Sequence, residues 1–316
     1  MIIILSEEFD GPTQSVMEKL ELSNANYRVI YGSDFLHDKI QIDLNSKKIK
    51  INGEDIENVN IVWYRRWLSS NYRFSKEIEL NDYLKNEFDE FSSNFMNYLP
   101  TKKWLNFPPF IQPFPSKSLQ LKKALEFGLD VPKTVVTNCK SSLLDFFFKN
   151  DRDIITKNLS NPLVFKKGGK SYATYTVDVD NEDINDLDNN LFFPSIFQRN
   201  IEKEIEIRAF YFNGEFFSYA IFSSTNSQTT IDFRKYDFKK PNRIMKYELP
   251  DEIKYKITKL MENFNLHTGS IDLIKCIDKK FYFLEINPQG QFGGLEDYGL
   301  NIEDTISKYL IENDRF

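Results

Sequence analysis

Two apolar segments near the C-terminal end of the chain carry oxygen-bearing side chains at a spacing that could hold a metal ion. Asp272 lies on the first segment, and Glu285 and Asn287 lie on the second. Between them, Asp278-Lys279 has the composition of a tight turn. If the segments pair as a hairpin around this turn, Asp272 lies directly opposite Glu285, and Asn287 lies on the same face.

Such a pair of acids needs a partner. Opposite residues of a hairpin have Cβ atoms ~5 Å apart, and two carboxylates at that distance repel by roughly 3 kcal/mol at an effective dielectric of about 20. A bound Mg²⁺ would remove the repulsion, because it prefers oxygen ligands and shares its shell with phosphates. The alternatives are an exposed hairpin with solvated acids, or a register shifted by one residue, which would separate Asp272 from Glu285.

The second segment also resembles a known signature. Glu285-Ile286-Asn287, together with the upstream Asp272, is similar to the metal-binding motif of the ATP-grasp enzymes. In that family an Asp and a Glu-x-Asn bind the magnesium ions that bridge the phosphates of ATP. The resemblance implies that the cofactors are ATP and Mg²⁺, and that Asp272, Glu285 and Asn287 are the metal ligands.

Two lysines resemble the phosphate-binding lysines of the same family. Lys117 opens a predicted helix that is followed by Gly128-x-x-x-Pro132, and Lys166 ends a predicted strand before a glycine-containing loop, with Lys167 as the near alternative. An ammonium group beside small residues suits a phosphate, since backbone N–H groups can also approach it. The alternatives are a solvated lysine at a helix start and an ordinary hairpin turn.

The nucleotide would lie near a hinge between subdomains. The segment with Gln198, Asn200 and Ile201 resembles the family's interdomain hinge, where backbone groups contact the adenine edge. An acid close by holds the ribose in the family. Acids occupy positions 202, 204 and 206, and we assign the ribose to Glu204, with the other two as alternatives.

Four arginines are candidates for contact with substrate. Arg208 ends an acid-x-Arg strand motif of the family, which implies a position beside the transferred phosphoryl group, and Arg234 is assigned to the acyl phosphate or the acceptor carboxylate. A planar guanidinium makes paired contacts with such anions. Arg65 and Arg66 follow a predicted strand of the first domain and are interpreted as substrate-facing. The alternative for these two is a structural ion pair among the neighbouring tryptophans.

Three segments narrow the resemblance: 62–66, 232–236 and 285–292 are together similar to the graspetide synthetases, which include the microviridin-type ligases. The resemblance implies a ligase that phosphorylates an Asp or Glu side chain of a precursor peptide, made of leader and core. A Thr or Ser hydroxyl or a Lys amine then closes a macrocyclic ester or amide. The nearest alternative is a RimK-like ligase that adds an amino acid to a small molecule or protein. A non-catalytic nucleotide-binding regulator is an alternative of another class.

The elements that position these residues predict an α/β (α+β) protein. A β-α-β opening is followed by a long amphipathic helix, 78–98, and by a proline-rich boundary. The resemblance implies an ATP-grasp fold with an N-terminal Rossmann-like α/β domain (1–112), a small central domain (113–195) and a C-terminal antiparallel-sheet domain (196–316). Asn213-Gly214 predicts a hairpin turn in the last of these, and Gly128 predicts a helix end.

The composition excludes several classes. With 316 residues and a net charge of −6, the chain has no general nucleic-acid-binding character. Two cysteines predict no disulfide framework and a cytoplasmic location. No segment approaches the ~18 apolar residues of a membrane helix, so we expect no membrane partner. The resemblance is compatible with a homodimer.

Overall fold

The computed structural model describes residues 1–67, 72–108, 114–160, 164–168, 170–187, 190–225, 229, 231, 232, 234, 235 and 237–315, apart from the side chains of 164–167, 170 and 171. The described chain forms two compact units. The first comprises Met1–Pro113, Asn265–Thr268 and Pro288–Phe316, and the second comprises Phe114–Phe264 and Gly269–Asn287.

This division differs from the three consecutive domains predicted from the sequence. The predicted boundary at residue 113 coincides with the end of the first segment, but residues 288–316 return to the first unit. The predicted central and C-terminal subdomains belong to one unit. A chain that leaves a unit and returns to it cannot be divided by composition, because each crossing is set by which surfaces pack.

The first unit is built on a parallel sheet. The strands of the whole unit are β1 (Ile2–Ser6), β2 (Tyr27–Tyr31), β3 (Ile40–Asp43), β4 (Lys48–Ile51), β5 (Glu54–Asp55), β6 (Ile61–Tyr64) and β7 (Trp104–Leu105). The order β2-β1-β6-β7 is parallel throughout, and β3, β4 and β5 form a small antiparallel sheet. Residues 2–6 and 61–64 are buried along their whole length, as expected of strands covered on both faces.

Among the described residues of this unit, the α-helices are α1 (Gly11–Leu22), α2 (Ile78–Tyr98) and the C-terminal α7 (Ile302–Asp314). Asp10 caps α1 by accepting from the backbone N–H of Thr13, and Pro12 occupies a first-turn position that needs no N–H donor. The C-terminal helix is anchored to the start of the chain, because the N-terminal amine lies 2.5 Å from the carboxylate of Asp314.

The second unit holds the remaining strands and helices. The strands are β8 (Thr134–Cys139), β9 (Ile154–Lys157), β10 (Val164–Lys167), β11 (Lys170–Ala173), β12 (Val177–Val179), β13 (Leu191–Arg199), β14 (Lys203–Phe212), β15 (Glu215–Ile221), β16 (Ile244–Lys246), β17 (Thr268–Cys276) and β18 (Phe281–Asn287). The helices are α3 (Lys117–Glu126), α4 (Lys140–Lys149), α5 (Asn181–Asn185) and α6 (Asp251–Asn263).

One antiparallel sheet of this unit has the order β12-β9-β13-β8. Helix α4 covers one face, where Leu143 and Phe147 pack with Ile154, Val179 and Phe197. With one face covered by the helix, the side chains of alternate residues, including Lys157, are directed to the opposite face.

The second sheet has the order β16-β15-β14-β17-β18. The predicted turn at Asn213-Gly214 joins β14 to β15, and both residues have positive φ (46° and 96°), as a two-residue hairpin of this kind requires. Gly128 ends α3 with φ 76°, also as predicted.

The register of β17 and β18 decides the geometry of the predicted metal ligands. Asp272 lies opposite Glu285, so that predicted pairing is confirmed. Nearer the turn the predicted register is wrong by one residue, since Leu273 faces Phe283. The loop contains three residues rather than two, with Lys279 at φ 67°, and a bulge that leaves one extra residue on β18 restores the predicted pairing.

The predicted elements agree best with the structure where a regular apolar pattern extends over many residues. The helix predicted at 78–98 has the same bounds in the structure. Strand β9 falls where the sequence predicted no element.

No helix in the described part of the chain is both long enough and apolar enough to cross a membrane.

The hydrogen bonds of Asn106 lead to a prediction about the stability of the first unit. Its buried amide donates to the carbonyl and the hydroxyl of Thr268 and accepts from the backbone N–H groups of His267 and Thr268, at 2.8–3.1 Å. We expect Asn106→Ala to lower the free energy of unfolding by about 3 kcal/mol, since it leaves buried backbone groups without partners. Urea denaturation would measure this. The control Asn97→Ala, on the exposed face of α2, is expected to change it by less than about 0.5 kcal/mol.

Candidate active site

A row of charged and polar side chains crosses four adjacent strands of the second unit's five-stranded sheet. Tyr219 on β15 lies opposite Arg208 on β14, and Asp272 on β17 lies opposite Glu285 on β18. The Nε of Arg208 is 3.5 Å from Oδ1 of Asp272, which joins the two pairs. Lys117 continues the row, with its Nζ 3.1 Å from Oε2 of Glu285.

Helix α3 places Lys117 at the end of this row. Lys117 is the first residue of the helix, and one turn later Gln120 accepts from the backbone N–H of Ile286. Strand β18 is the sheet edge, so its outward N–H groups need partners. The carbonyl of Asp130, just beyond the helix, accepts from Phe283 in the same way. Two such bonds fix the helix on the edge strand and hold Lys117 over Glu285.

The two facing carboxylates have different environments. Burial raises the pKa of Asp272, although the guanidinium of Arg208 opposes the effect. Burial also acts on Glu285, but Lys117 and Lys157 outweigh it and lower its pKa. Two adjacent acids therefore ionise at different pH values, as expected when like charges share a site.

These acids fit a divalent cation. Oδ1 of Asp272 is buried and makes no hydrogen bond to any described residue, although Arg208 is near enough for an ion pair. A buried carboxylate oxygen without a hydrogen bond is costly unless another ligand reaches it. Among the described residues, no three His, Cys, Asp or Glu side chains lie close enough together to hold one metal ion, so the donor set is two carboxylates and whatever amide or phosphate oxygens join them.

A cleft beside the row is lined by charged residues from both sheets and from α3. Its cations are Lys117, Lys157, Arg199, Lys203 and Arg234, and its acids are Glu206, Asp232, Asp272 and Glu285. Most of the cations have a carboxylate partner, such as Lys203, whose Nζ is 2.6 Å from Glu206. Lys157 differs, since no described residue forms an ion pair or hydrogen bond with it.

Burial lowers the pKa of Lys157 to about 8; the charge of Glu285 opposes this effect, and the charges of Lys117 and Arg234 add to it. A cation gathered with other cations in a buried cleft is the arrangement that an anionic ligand would stabilise.

Sequence reasoning missed Lys157 because it missed β9. The run Ile154-Ile155-Thr156 is β-branched, and this is the sequence signal that could have identified the strand. The lysine–glycine sequence after residue 165 attracted the assignment to Lys166 instead. The backbone of Lys166 lies in β10, but its side chain is outside the described residues.

The predicted hinge residues line the cleft. Gln198, Asn200 and Ile201 all contribute to its wall. Gln198 is buried, and its amide donates to the hydroxyl of Thr134 at 2.8 Å. Asn200 donates its backbone N–H to the carbonyl of Asp153, which ties the hinge to the turn before β9. The three residues therefore stand together on one side of the cleft.

The acid nearest this wall is Glu206 rather than Glu204. Glu204 does not line the cleft, and its carboxylate is 2.7 Å from Nζ of Lys275. Glu206 is buried, and its Oε1 accepts from Lys203 and from the hydroxyl of Ser223. Burial raises the pKa of Glu206, which Lys203 opposes.

Arg234 reaches the cleft from the polar stretch after β15. Its Nε and Nη2 donate to the two oxygens of Asp232, at 2.8 and 2.6 Å, and Asp232 also accepts from the backbone N–H of Thr176. This bidentate pair raises the pKa of Arg234 and fixes its guanidinium beside the cleft. The neighbouring positions 233 and 236 of the predicted motif are outside the described residues.

Two further predicted residues lie at the border of the site. Arg208 contacts Asp272 but is not part of the cleft wall, and Asn287 is exposed at the end of β18, outside the wall. By strand alternation Asn287 shares a face with Glu285.

Arg65 is not substrate-facing in this structure. It is 4% exposed, its Nε lies 3.2 Å from Oδ2 of Asp10, and it donates to the carbonyl of Gln289 and the side chain of Gln291. Its guanidinium also lies over the ring of Phe292. Burial lowers its pKa to about 10 despite Asp10. The ion pair with Asp10 agrees with the structural alternative, and the contacts with Gln289 and Gln291, which the sequence did not predict, hold the returning segment 288–316.

Arg66 shares the same acid. Its Nε lies 2.8 Å from Oδ1 of Asp10, and its side chain is 30% exposed. Asp10 therefore holds both arginines, and both belong to the first unit.

Comparison with protein-family models finds no match, and comparison with curated proteins also finds none. Solved structures match nearly the whole chain. A RiPP-associated ATP-grasp ligase of Chryseobacterium gregarium, in complex with ADP and with a leader and core peptide, is 23% identical with a TM-score of 0.87, over 98% of this chain and 96% of that one. The macrocyclase MdnC of Microcystis aeruginosa, bound to precursor peptide MdnA, is 26% identical with a TM-score of 0.83, over 99% of both chains.

A third structure, the ATP-grasp ligase PsnB with a precursor variant, Mg and ADP, is 18% identical with a TM-score of 0.78, over 99% of this chain and 98% of that one. The chain therefore has the ATP-grasp fold, as predicted. Within that fold it is similar over nearly its whole length to RiPP-associated ligases and macrocyclases, which agrees with the resemblance found in its motifs.

The burial of Lys157 leads to a prediction about the stability of the protein. Because the folded protein pays to bury this charge, we expect Lys157→Met to raise the free energy of unfolding by about 2 kcal/mol at pH 7, measured by urea denaturation in EDTA. The folded pKa of about 8 is below the ordinary value of 10.5. Between these two pKa values the folded wild type therefore binds fewer protons than its unfolded chain. The free energy of unfolding that the wild type loses by burying the charge is recovered as pH rises through this range.

The matched control is Lys149→Met, at the exposed end of α4, with an expected change within about 0.5 kcal/mol. A destabilised Lys157→Met protein would show that the lysine contributes to the fold instead of costing it stability.

Proposed function

We propose that this chain is an ATP-dependent carboxylate ligase that closes macrocycles in a precursor peptide, as graspetide synthetases do. The observation that carries the proposal is the cleft, where a buried, unpartnered Lys157 stands beside Lys117 and a facing pair of acids. Such a site suits a polyphosphate with a divalent cation. The similar structures support the substrate class, since all three hold leader, core or precursor peptides and two of them also hold ADP.

The nucleotide is assigned to this cleft. Lys117 and Lys157 would contact its phosphates, with Lys157 taking the role predicted for Lys166. Gln198, Asn200 and Ile201 would lie along the adenine. For the ribose we propose Glu206 in place of Glu204, because Glu206 lines the cleft, whereas Glu204 does not and is paired with Lys275.

Mg²⁺ would be held by Asp272 and Glu285, with Asn287 as the third ligand on the same face. When bound, the ion neutralises charge on the phosphates, which is its usual contribution to phosphoryl transfer. The protein's own residues hold the reactants: Lys117 and Lys157 orient the phosphates, and Arg208 and Arg234 offer guanidinium groups to the developing charge.

The reaction has two steps. A side-chain carboxylate of the peptide attacks the terminal phosphorus of ATP, forming an acyl phosphate and releasing ADP. A hydroxyl or amine of the same peptide then attacks the acyl carbon, loses its proton, and expels inorganic phosphate. A free carboxylate is a poor electrophile, so the phosphate supplies the leaving group, and positioning supplies most of the acceleration.

Two alternatives share parts of this site. A RimK-like ligase would use the same nucleotide chemistry with a different acceptor, and a regulator would bind the nucleotide without ligation. A homodimer and a cytoplasmic location stay predictions. Arg65 is not proposed as a substrate contact, because its buried guanidinium is engaged by Asp10, Gln289 and Gln291, while the substrate-facing role of Arg66 stays a prediction.

Mass spectrometry of the product tests the function. The purified chain would be incubated with Mg-ATP and the short peptide, rich in Thr and in Asp or Glu, that is encoded beside its gene. We expect a product lighter by one water for each ring closed. A product heavier by an amino acid would favour the RimK-like alternative, and nucleotide binding without any product would favour the regulator; either outcome would falsify the macrocyclase proposal.

Arg234 has its own test in the same assay. We expect Arg234→Ala to slow ring closure by roughly 100-fold, because a cation opposite the acyl phosphate is lost. Since the variant also leaves buried Asp232 without its partner, Arg234→Gln provides a version that keeps a donor but not the charge. The control Arg243→Ala, an exposed arginine of the same polar stretch, is expected to change the rate less than about twofold. Unchanged ring closure in both Arg234 variants would remove Arg234 from the site.

A further inference from the structure

We propose that Thr134 sets the nucleobase specificity of the cleft. It fixes the side-chain amide of Gln198 so that the amide oxygen meets the base and selects a purine with an amino group at position 6. This rests on the proposed function, because it concerns the nucleotide that the ligase uses. Thr134 begins β8 and is not itself part of the cleft wall, so it acts through Gln198 as a positioning residue.

Strand alternation directs Gln198 to the face of the four-stranded sheet that lines the cleft. Its neighbour Phe197 packs in the core beneath α4, so the side chain of Gln198 points to the opposite face. Ile155, which lies opposite Gln198 on β9, lines the cleft as Gln198 does. Gln198 is only 1% exposed, so its amide needs hydrogen-bond partners inside the protein or in a ligand.

Two hydrogen bonds decide which atom of the amide faces Thr134. Thr134 lies opposite Gln198 on the neighbouring strand, and its hydroxyl donates to the carbonyl of Pro132 at 2.7 Å. A hydroxyl has one hydrogen and a carbonyl can only accept, so the Thr134 oxygen is left to accept from Gln198. The atom that faces Thr134 is therefore the amide nitrogen, and Nε2 donates at 2.8 Å.

The orientation of this amide decides which purine the site prefers. With its nitrogen turned to Thr134, Gln198 has its acceptor oxygen on the other side of the planar amide. An acceptor there pairs with the 6-amino group of adenine and opposes the 6-carbonyl of hypoxanthine or guanine. Two acceptors that face each other in a buried site are both left without a hydrogen bond, which costs free energy and gives discrimination between the bases.

Binding of ADP and of inosine diphosphate (IDP), each with Mg²⁺, tests the proposal without needing the peptide. IDP carries a carbonyl where ADP carries the 6-amino group. We expect Thr134→Val to lower the ratio of the IDP to the ADP dissociation constant about tenfold, because the amide of Gln198 is then free to turn. Thr134→Ser keeps the hydroxyl and should keep the ratio within about twofold of the wild type. Titration calorimetry would measure both constants.

Gln198→Met acts on the other partner of the same hydrogen bond. It removes the amide at similar size, and we expect the same fall in the ratio, about tenfold. Thr137→Val is the matched control, since it makes the same chemical change on the same strand at a hydroxyl that accepts from the backbone N–H of Cys139 instead of from Gln198. It should leave the ratio within about twofold of the wild type.

A wild type that binds ADP and IDP equally would overturn the proposal. So would an unchanged or raised ratio in Thr134→Val or in Gln198→Met, including the equal weakening of both nucleotides that a merely structural role would give. Thr134→Ala makes the same test if valine disturbs the strand pairing. These outcomes would not affect the proposed function, because ADP still binds. If the wild-type chain binds neither nucleotide, the proposed function fails and this inference fails with it.

Discussion

The facing pair of Asp272 and Glu285 is the constraint on which the site depends. Two carboxylates at cross-strand distance repel each other, and the fold offsets this with one cation on each side. Arg208 lies beside Asp272 and Lys117 beside Glu285. These cations come from a neighbouring strand and from a helix bound to the sheet edge, so the register of the sheet and the docking of α3 are both needed before the acids can coexist.

The same region contains charged groups whose burial costs free energy and which a bound ligand could stabilise. Lys157 is buried among other cations, and Oδ1 of Asp272 is buried without a hydrogen bond to a described residue. Phosphate groups and a divalent cation are the complements of these two features. Functional sites often cost stability in this way, because groups arranged for a ligand cannot also be satisfied by the protein. Other charges of the cleft are already paired, as Arg234 is with Asp232, and these pairs give the site its rigidity.

Similar residue types have separate roles in the two units. Arg65 matches a motif of peptide-modifying ligases, yet it is buried and holds the segment that follows β18 through Gln289 and Gln291. Glu204 and Glu206 are two residues apart on one strand, but only Glu206 reaches the cleft. In each case the difference is in the partner that a side chain meets, which depends on neighbouring strands and not on the local sequence.

The resemblance of its motifs to a known family predicted the ATP-grasp fold. The sequence by itself determined the long helix 78–98 and the pairing of Asp272 with Glu285, because periodicity and alternation are local and the apolar faces of a hairpin specify its register. It could not determine that a three-residue loop and a compensating bulge would produce that pairing, or that β9 would bring Lys157 into the cleft. It also could not show that residues 288–316 return to the first unit. Those outcomes depend on contacts between segments far apart in the chain, and only the tertiary structure decides which buried charges meet.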